Sequence, residues 1–337
     1  MINKRFSSKK FVFFIFFLYL CSKLDKNAPF AQKIGQILSR GLVFLSPNAG
    51  GVDMRNKSRI LFVSQEISPY IEVQTPIRVL NRALPELCQS NGFETRTFMP
   101  KFGEVSERRH QLHDVIRLSG MNISIDDVDH PLLIKVASVQ QARLQIYFID
   151  NDDLFHSRKG IHDAFGEEYS DNDVRTIFFA RGVMATIEKL RWPPKVIYCS
   201  GWMSALIPLY VKRAFGGTPF FADSKVVVAL DNQEYMRPFG SQFSERLMID
   251  GLVGSDVRSI AGMPVYYEDL MHLAIDYADA VVLATPHCNS RLINYAENRG
   301  KKPHDLSGAD QEQFLAFFKE ITAGAETPVV EEESDEI

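Results

Sequence analysis

Apolar residues fall in two alternating rhythms along this chain, short unbroken runs and longer stripes of period 3.6. Residues 60–64, ILFVS, form a continuous apolar run ending in the polar pair Gln65-Glu66, which predicts a parallel strand covered on both faces. Residues 75–90 place Ile77, Leu80, Leu84, Leu87 and Cys88 on one side, an amphipathic helix closed by Asn91-Gly92. Residues 94–99 predict a second strand, ended by Pro100, and residues 132–138 and 143–149 a strand pair joined across Gln140-Gln141. A long helix follows over 171–190, with Val174, Ile177, Phe178, Ala185 and Ile187 on its apolar side.

The rest of the chain repeats the pattern. Strands at 196–199, 225–230 and 280–284 alternate with helices at 203–215, 265–277 and 286–298. Elements of these lengths in this order predict an α/β fold, a Rossmann-like doubly wound parallel sheet with 60–64, 196–199 and 225–230 in its centre. Residues 305–322 predict one more amphipathic helix through Phe314, Leu315, Phe317, Phe318 and Ile321, and 331–336 an acidic solvated tail. The expected organisation is therefore an extension over 1–53, a domain over 54–300, and a tail over 301–337.

Composition narrows the function. With 45% hydrophobic residues in 337, the chain can bury a sizeable core, and a net charge of −4 with mixed signs offers nucleic acid no basic face. Cys21, Cys88, Cys199 and Cys288 lack metal-type or Cys-x-x-Cys spacing, so reduced thiols are expected. No His-x-x-x-His pattern supports a catalytic metal, and no Gly-x-Ser-x-Gly elbow surrounds Ser200. Residues 11–21, FVFFIFFLYLC, follow Lys9-Lys10 and are shorter than the roughly 20 apolar residues of a bilayer span. They fit a signal-peptide core, although Leu20 is not the small residue a lipoprotein cysteine would want before it. The other reading takes Met54 as the start of a cytoplasmic protein. A cytoplasmic location is expected, with membrane association or export as the alternative if residues 1–21 act as a signal or anchor.

Four blocks carry a family resemblance: Arg59-ILFVSQEISPY with Glu66, Pro69 and Tyr70; Ala83-Leu84-Pro85 with Phe98 through Gly103; Tyr169 through Arg175 with Ile177-Phe178-Phe179; and Trp202, Ser204, Ala205, Pro208, Leu209, Tyr210 and Lys212. In order and spacing they resemble the N-terminal catalytic domain of the bacterial glycogen and starch synthases, which extend α-1,4-glucans from ADP-glucose, in a short one-domain version of the Bacteroidetes type. The resemblance implies the N-terminal half of a GT-B fold, with the second GT-B domain absent from this chain and supplied, if at all, by a partner chain. It covers residues from about 59 to about 298.

The departures bear on chemistry. Where the family writes His-x-His-Asp-Trp, this chain has Tyr198, Ser200 and Gly201 before Trp202, and where it writes Lys-Thr-Gly-Gly, Glu72-Val73-Gln74-Thr75-Pro76. Glycine N–H groups and a lysine suit phosphate; Glu72 would repel a diphosphate and Pro76 removes an N–H. The resemblance thus implies a glucosyltransferase domain inactive alone, or a non-catalytic relative that binds a glucan or a partner protein. It offers Glu66, Tyr70, Asp150, Asp171, Asn172, Arg175, Trp202 and Ser204 as acceptor contacts for an α-glucan or maltooligosaccharide, with no catalytic, cofactor or metal residue. ADP-glucose would be a substrate, not a cofactor. Four of these residues have a second reading: Glu66 as a capping carboxylate, Asp171 as an N-cap paired with Arg175, Asp150 as part of a solvated Asp-Asn-Asp-Asp turn, and Trp202 as core packing.

Overall fold

The computed structural model describes residues 57–249 and 251–324. The signal-like run, Cys21 and the acidic run at 331–336 lie outside them. The elements, in chain order, are β1 (Arg59–Ser64), α1 (Pro76–Ser90), β2 (Glu94–Pro100), β3 (His113–Asp114), β4 (Met121–Ile125), β5 (Val128–Val139), β6 (Leu144–Asp150), α2 (Asn172–Leu190), β7 (Val196–Ser200), β8 (Lys225–Leu230), α3 (Tyr267–Tyr277), β9 (Ala280–Leu283), α4 (Ser290–Asn298), β10 (His304–Asp305) and α5 (Gln311–Ala323).

The strands form one sheet in the order β10-β9-β8-β7-β1-β2-β6-β5-β3, with β4 paired to β5. From β10 to β6 every pairing is parallel, while β5 runs antiparallel to β6, β3 and β4. The doubly wound sheet is thus mostly parallel and finishes in an antiparallel edge, because a hairpin can join β5 to β6 over only a few residues whereas a parallel pair needs a crossover. β1, β7 and β8 are central, as their unbroken apolar runs require.

The two-residue period of each strand divides the core between the two faces. Leu61 and Val63 of β1 join Val226 and Val228 of β8 under α2 and α3, in one cluster. Ile60 and Phe62 turn the other way, with Val227 and Ala229, beneath α1 and α5. Phe318 of α5 sits 5.5 Å from Phe62 and 5.7 Å from Tyr198, ring centre to ring centre, so this helix closes the second face of the sheet.

Several boundaries differ from the sequence pattern. The helix expected over 203–215 is a 3-10 turn (Trp202–Ser204), a short α segment (Ile207–Leu209) and a π turn (Tyr210–Ala214). Pro208 lies inside this run and lacks the N–H that a regular helix uses. α3 and α4 start at Tyr267 and Ser290, later than their apolar stripes, and Asn289 caps α4 by accepting the Arg291 N–H. Among the described residues no helix is long and apolar enough to cross a membrane.

Candidate functional site

Strand order reverses between β1 and β7: from β1 the chain winds through β2 to β6, and from β7 it winds the opposite way. Open α/β sheets place ligands at the carboxyl ends of strands flanking such a reversal. A crevice of about 540 Å³ lies there, walled by Gln65 and Glu66 after β1, Trp202 after β7, and Asn232, Gln233 and Glu234 after β8. Glu72, Thr75, Arg78, Glu104, Lys159, Gly160 and His162 are among its other lining residues. A larger hollow, about 650 Å³, lies between the β4–β5 turn and Arg246. Arg246 is committed there to Asp126 and Asp173 at 2.6 Å each, and no parallel strand ends at it.

The floor is built from the turns after β1 and β7. Gln65 donates its N–H to the Ser200 carbonyl at 2.9 Å, and its Oε1 accepts the Met203 N–H at 3.1 Å. This close approach requires glycine at 201, whose φ is +83° and where a Cβ would stand 2.6 Å from the Gln65 Cβ. Trp202 is 1% exposed and packs edge-on against Tyr235 and Phe239, with ring centres 5.1 and 6.0 Å away. Among the described residues its indole N–H has no partner; the hydroxyls of Ser64 and Ser200 have none either, but they are buried behind the crevice lining. A buried donor without an acceptor is costly, and its presence at a crevice wall suits a ligand or ordered water.

Charge in the crevice is predominantly negative. Glu66, Glu72, Glu104 and Glu234 face it against Arg78 and Lys159. Arg78 is already committed, donating Nε–H to the Glu66 carboxylate at 2.7 Å and Nη1–H to the Val73 carbonyl. Burial, then the Glu66 charge, pushes the Glu104 carboxyl up. Asp231, fully enclosed at the end of β8, is raised to about 7, chiefly by burial and further by Glu66 and Glu234.

Of the eight residues the sequence proposed, Glu66 and Trp202 line the crevice. Ser204 is buried and donates its hydroxyl to the Gly201 carbonyl at 2.7 Å, locking the turn beneath it. Tyr70 is buried against Phe148 and His110. Asp171 takes the N-cap position of α2 without a side-chain cap bond, and its carboxylate instead receives Arg158 at 3.0 Å. The expected Asp171–Arg175 side-chain pairing is replaced by a tertiary one. Arg175 is fully buried and donates Nε to the Leu154 carbonyl at 2.7 Å, Nη1 to Asn172 Oδ1 at 2.5 Å and Nη2 to the Gly160 carbonyl at 2.8 Å. It thereby supports the Gly160 wall from behind.

Asp150 lies at the end of β6, apart from the crevice lining. Glu107, Asp150 and His156 are the one His/Asp/Glu group among the described residues with metal-like spacing. The buried ammonium of Lys101 already occupies it, 3.2 Å from both Glu107 Oε1 and His156 Nδ1, which leaves no place for a second cation. Sequence reasoning missed Glu104, Lys159 and Glu234. The available signal for Glu104 and Glu234 was position, since each follows the end of a parallel strand by a few residues.

A starch synthase catalytic domain family model matches residues 59–300. The chain is 33% identical over 274 residues to a glycogen synthase of Chlorobium phaeobacteroides, covering 77% of this chain and 54% of that protein. It is 30% identical over 269 residues to a glycogen synthase of Chlorobaculum tepidum, again covering 77% and 54%. The catalytic domain of starch synthase IV from Arabidopsis thaliana, solved with ADP and acarbose, has a like fold, with a TM-score of 0.60 at 15% identity over 74% of this chain and 51% of that one. The chain spans about half the length of the curated relatives it matches.

Proposed function

Because the chain belongs to the starch synthase catalytic domain family, we propose that its crevice holds an uncharged α-1,4-glucan segment and that the chain alone does not transfer glucose from ADP-glucose. The observation that carries this reading is the charge of the crevice: with Glu66 and Arg78 paired, Glu72, Glu104 and Glu234 face Lys159, the one lysine among the described lining residues. A phosphate charge about 4 Å from one carboxylate costs about 4 kcal/mol at an effective dielectric near 20. Saccharide hydroxyls instead donate to carboxylates, and the Trp202 N–H, without a partner among the described residues, offers a donor to ring and hydroxyl oxygens.

The segment that corresponds to the Lys-Thr-Gly-Gly loop supports the same reading, since Glu72 and Thr75 line the crevice where the family carries a cation and glycines. The replaced histidines act in the same direction. Tyr198 packs into the core against Phe62 and Phe318, and Ser200 is fully buried. Glucosyl transfer in this reading needs the half of the relatives that this chain does not match, in the same protein or on a partner chain. Incubation of the purified chain with labelled ADP-glucose and glycogen tests it. No incorporation is expected, and steady incorporation abolished by Glu66→Ala would overturn the proposal.

A further inference from the structure

Beside the crevice, two loops display apolar side chains to solvent on a rigid frame. Phe165 is 91% exposed and Met236 is 81% exposed. Phe165 sits in a tight turn in which Asp163 Oδ1 accepts the N–H groups of Phe165 and Glu167 at 2.8 and 3.0 Å. Gly166 in that turn has φ +86°, so the turn is built around a residue that tolerates it. The neighbouring Glu168 then latches this loop to the other. Its carboxylate accepts the Met236 N–H at 2.9 Å and the Arg237 N–H at 2.7 Å, while Arg237 Nη1 donates to the Glu168 carbonyl at 3.3 Å. Both loops enter from the crevice wall, one through His162 and the other through Glu234.

We propose that Phe165 and Met236, held together by Glu168, form an apolar lip that binds a saccharide chain emerging from the crevice, a further carbohydrate subsite for longer α-glucans. The proposal rests on the glucan reading of the crevice above. A pyranose ring presents a face of C–H groups, and an exposed aromatic ring on a hydrogen-bonded turn matches it in size and polarity. Because backbone hydrogen bonds order both loops, docking a ligand costs side-chain freedom but little backbone freedom. Two side chains offer a few hundred Å², well under the roughly 800 Å² per partner of a stable protein interface. The surrounding Asp163, Glu167 and Arg237 are polar, which further disfavours a protein partner at this spot.

The test compares maltose, short enough for the crevice alone, with maltoheptaose, long enough to reach the lip, by calorimetric titration of the full chain. Phe165→Ala is expected to weaken maltoheptaose about fivefold to tenfold and leave maltose within about twofold, with Phe165→Trp restoring the difference. As Phe165 is exposed, neither change threatens the fold. Equal weakening of both sugars, or of neither, would overturn the lip and leave the crevice reading standing. Failure of the unmodified chain to bind either sugar would overturn the crevice reading and the lip with it. Self-association of the chain in sedimentation that Phe165→Ala abolishes would make the patch a contact between copies, against the proposal.

Discussion

Replacing Arg175 by methionine should destabilise the domain by about 4 kcal/mol, given that hydrogen bonds to charged groups contribute about 1.5–3 kcal/mol each. Three such bonds are lost together, to the Leu154 and Gly160 carbonyls and to Asn172 Oδ1. The lower end of the sum applies because methionine can fill the space between Phe102, Phe155 and Tyr169, whose ring centres lie 5.5, 5.2 and 5.4 Å from the guanidinium. Burial depresses Arg175 to about 10, so the side chain is still charged at neutral pH and the full charged hydrogen bonds are at stake. Arg175→Lys keeps the charge but cannot span three acceptors in different directions, and should cost about half as much. Urea denaturation followed by circular dichroism measures both, and in thermal melts the methionine variant should fall by roughly 8–16 °C. A loss below about 1 kcal/mol for Arg175→Met would refute the structural role assigned here. It would return Arg175 to the list of ligand contacts.

Three further outcomes follow from the same geometry. Gly201→Ala should cost about 1–3 kcal/mol in urea denaturation, since a side chain at φ +83° is strained and would press on Gln65; an unchanged midpoint would mean the turn is looser than described. Asp231 has a folded pKa near 7 against an unfolded value near 3.8, so it binds a proton more tightly when folded, and its contribution to stability is present below about pH 4 and is lost as pH rises towards 7. Asp231→Asn should flatten the decline of stability over that window, and an unaltered pH profile would count against the buried acid. Glu72→Lys should raise the affinity for ADP by removing one repulsion and adding one attraction, and an equal affinity in both forms would show that charge does not govern the crevice.

The sheet was legible where burial on both faces forces a continuous apolar run, as in β1, β7 and β8. Two-residue strands such as β3 and β10 are exposed and leave no hydrophobic signal. The interrupted helix after Trp202 hid for the opposite reason. Ile207, Pro208, Leu209, Tyr210 and Val211 are all buried, so no polar phase marks where α, 3-10 and π turns change over. Glu66 and Trp202 were visible because they directly follow strands flanking the reversal of strand order. Arg175 was misplaced because local spacing offers Asp171 as its partner, whereas two of its three acceptors, the Gly160 and Leu154 carbonyls, lie 15 and 21 residues away between β6 and α2. The latch made by Glu168 is invisible for the same reason, joining residues 68 and 69 positions apart.

The central claim is that this crevice suits an uncharged glucan and opposes a nucleotide sugar. Titrating one preparation of the chain calorimetrically with maltoheptaose and, separately, with ADP-glucose tests it directly. The account predicts saturable binding of maltoheptaose, weakened by Glu66→Ala, and no saturation by ADP-glucose at the same concentrations. Saturable binding of ADP-glucose, tighter than that of the glucan and indifferent to the charge at Glu72, would contradict it.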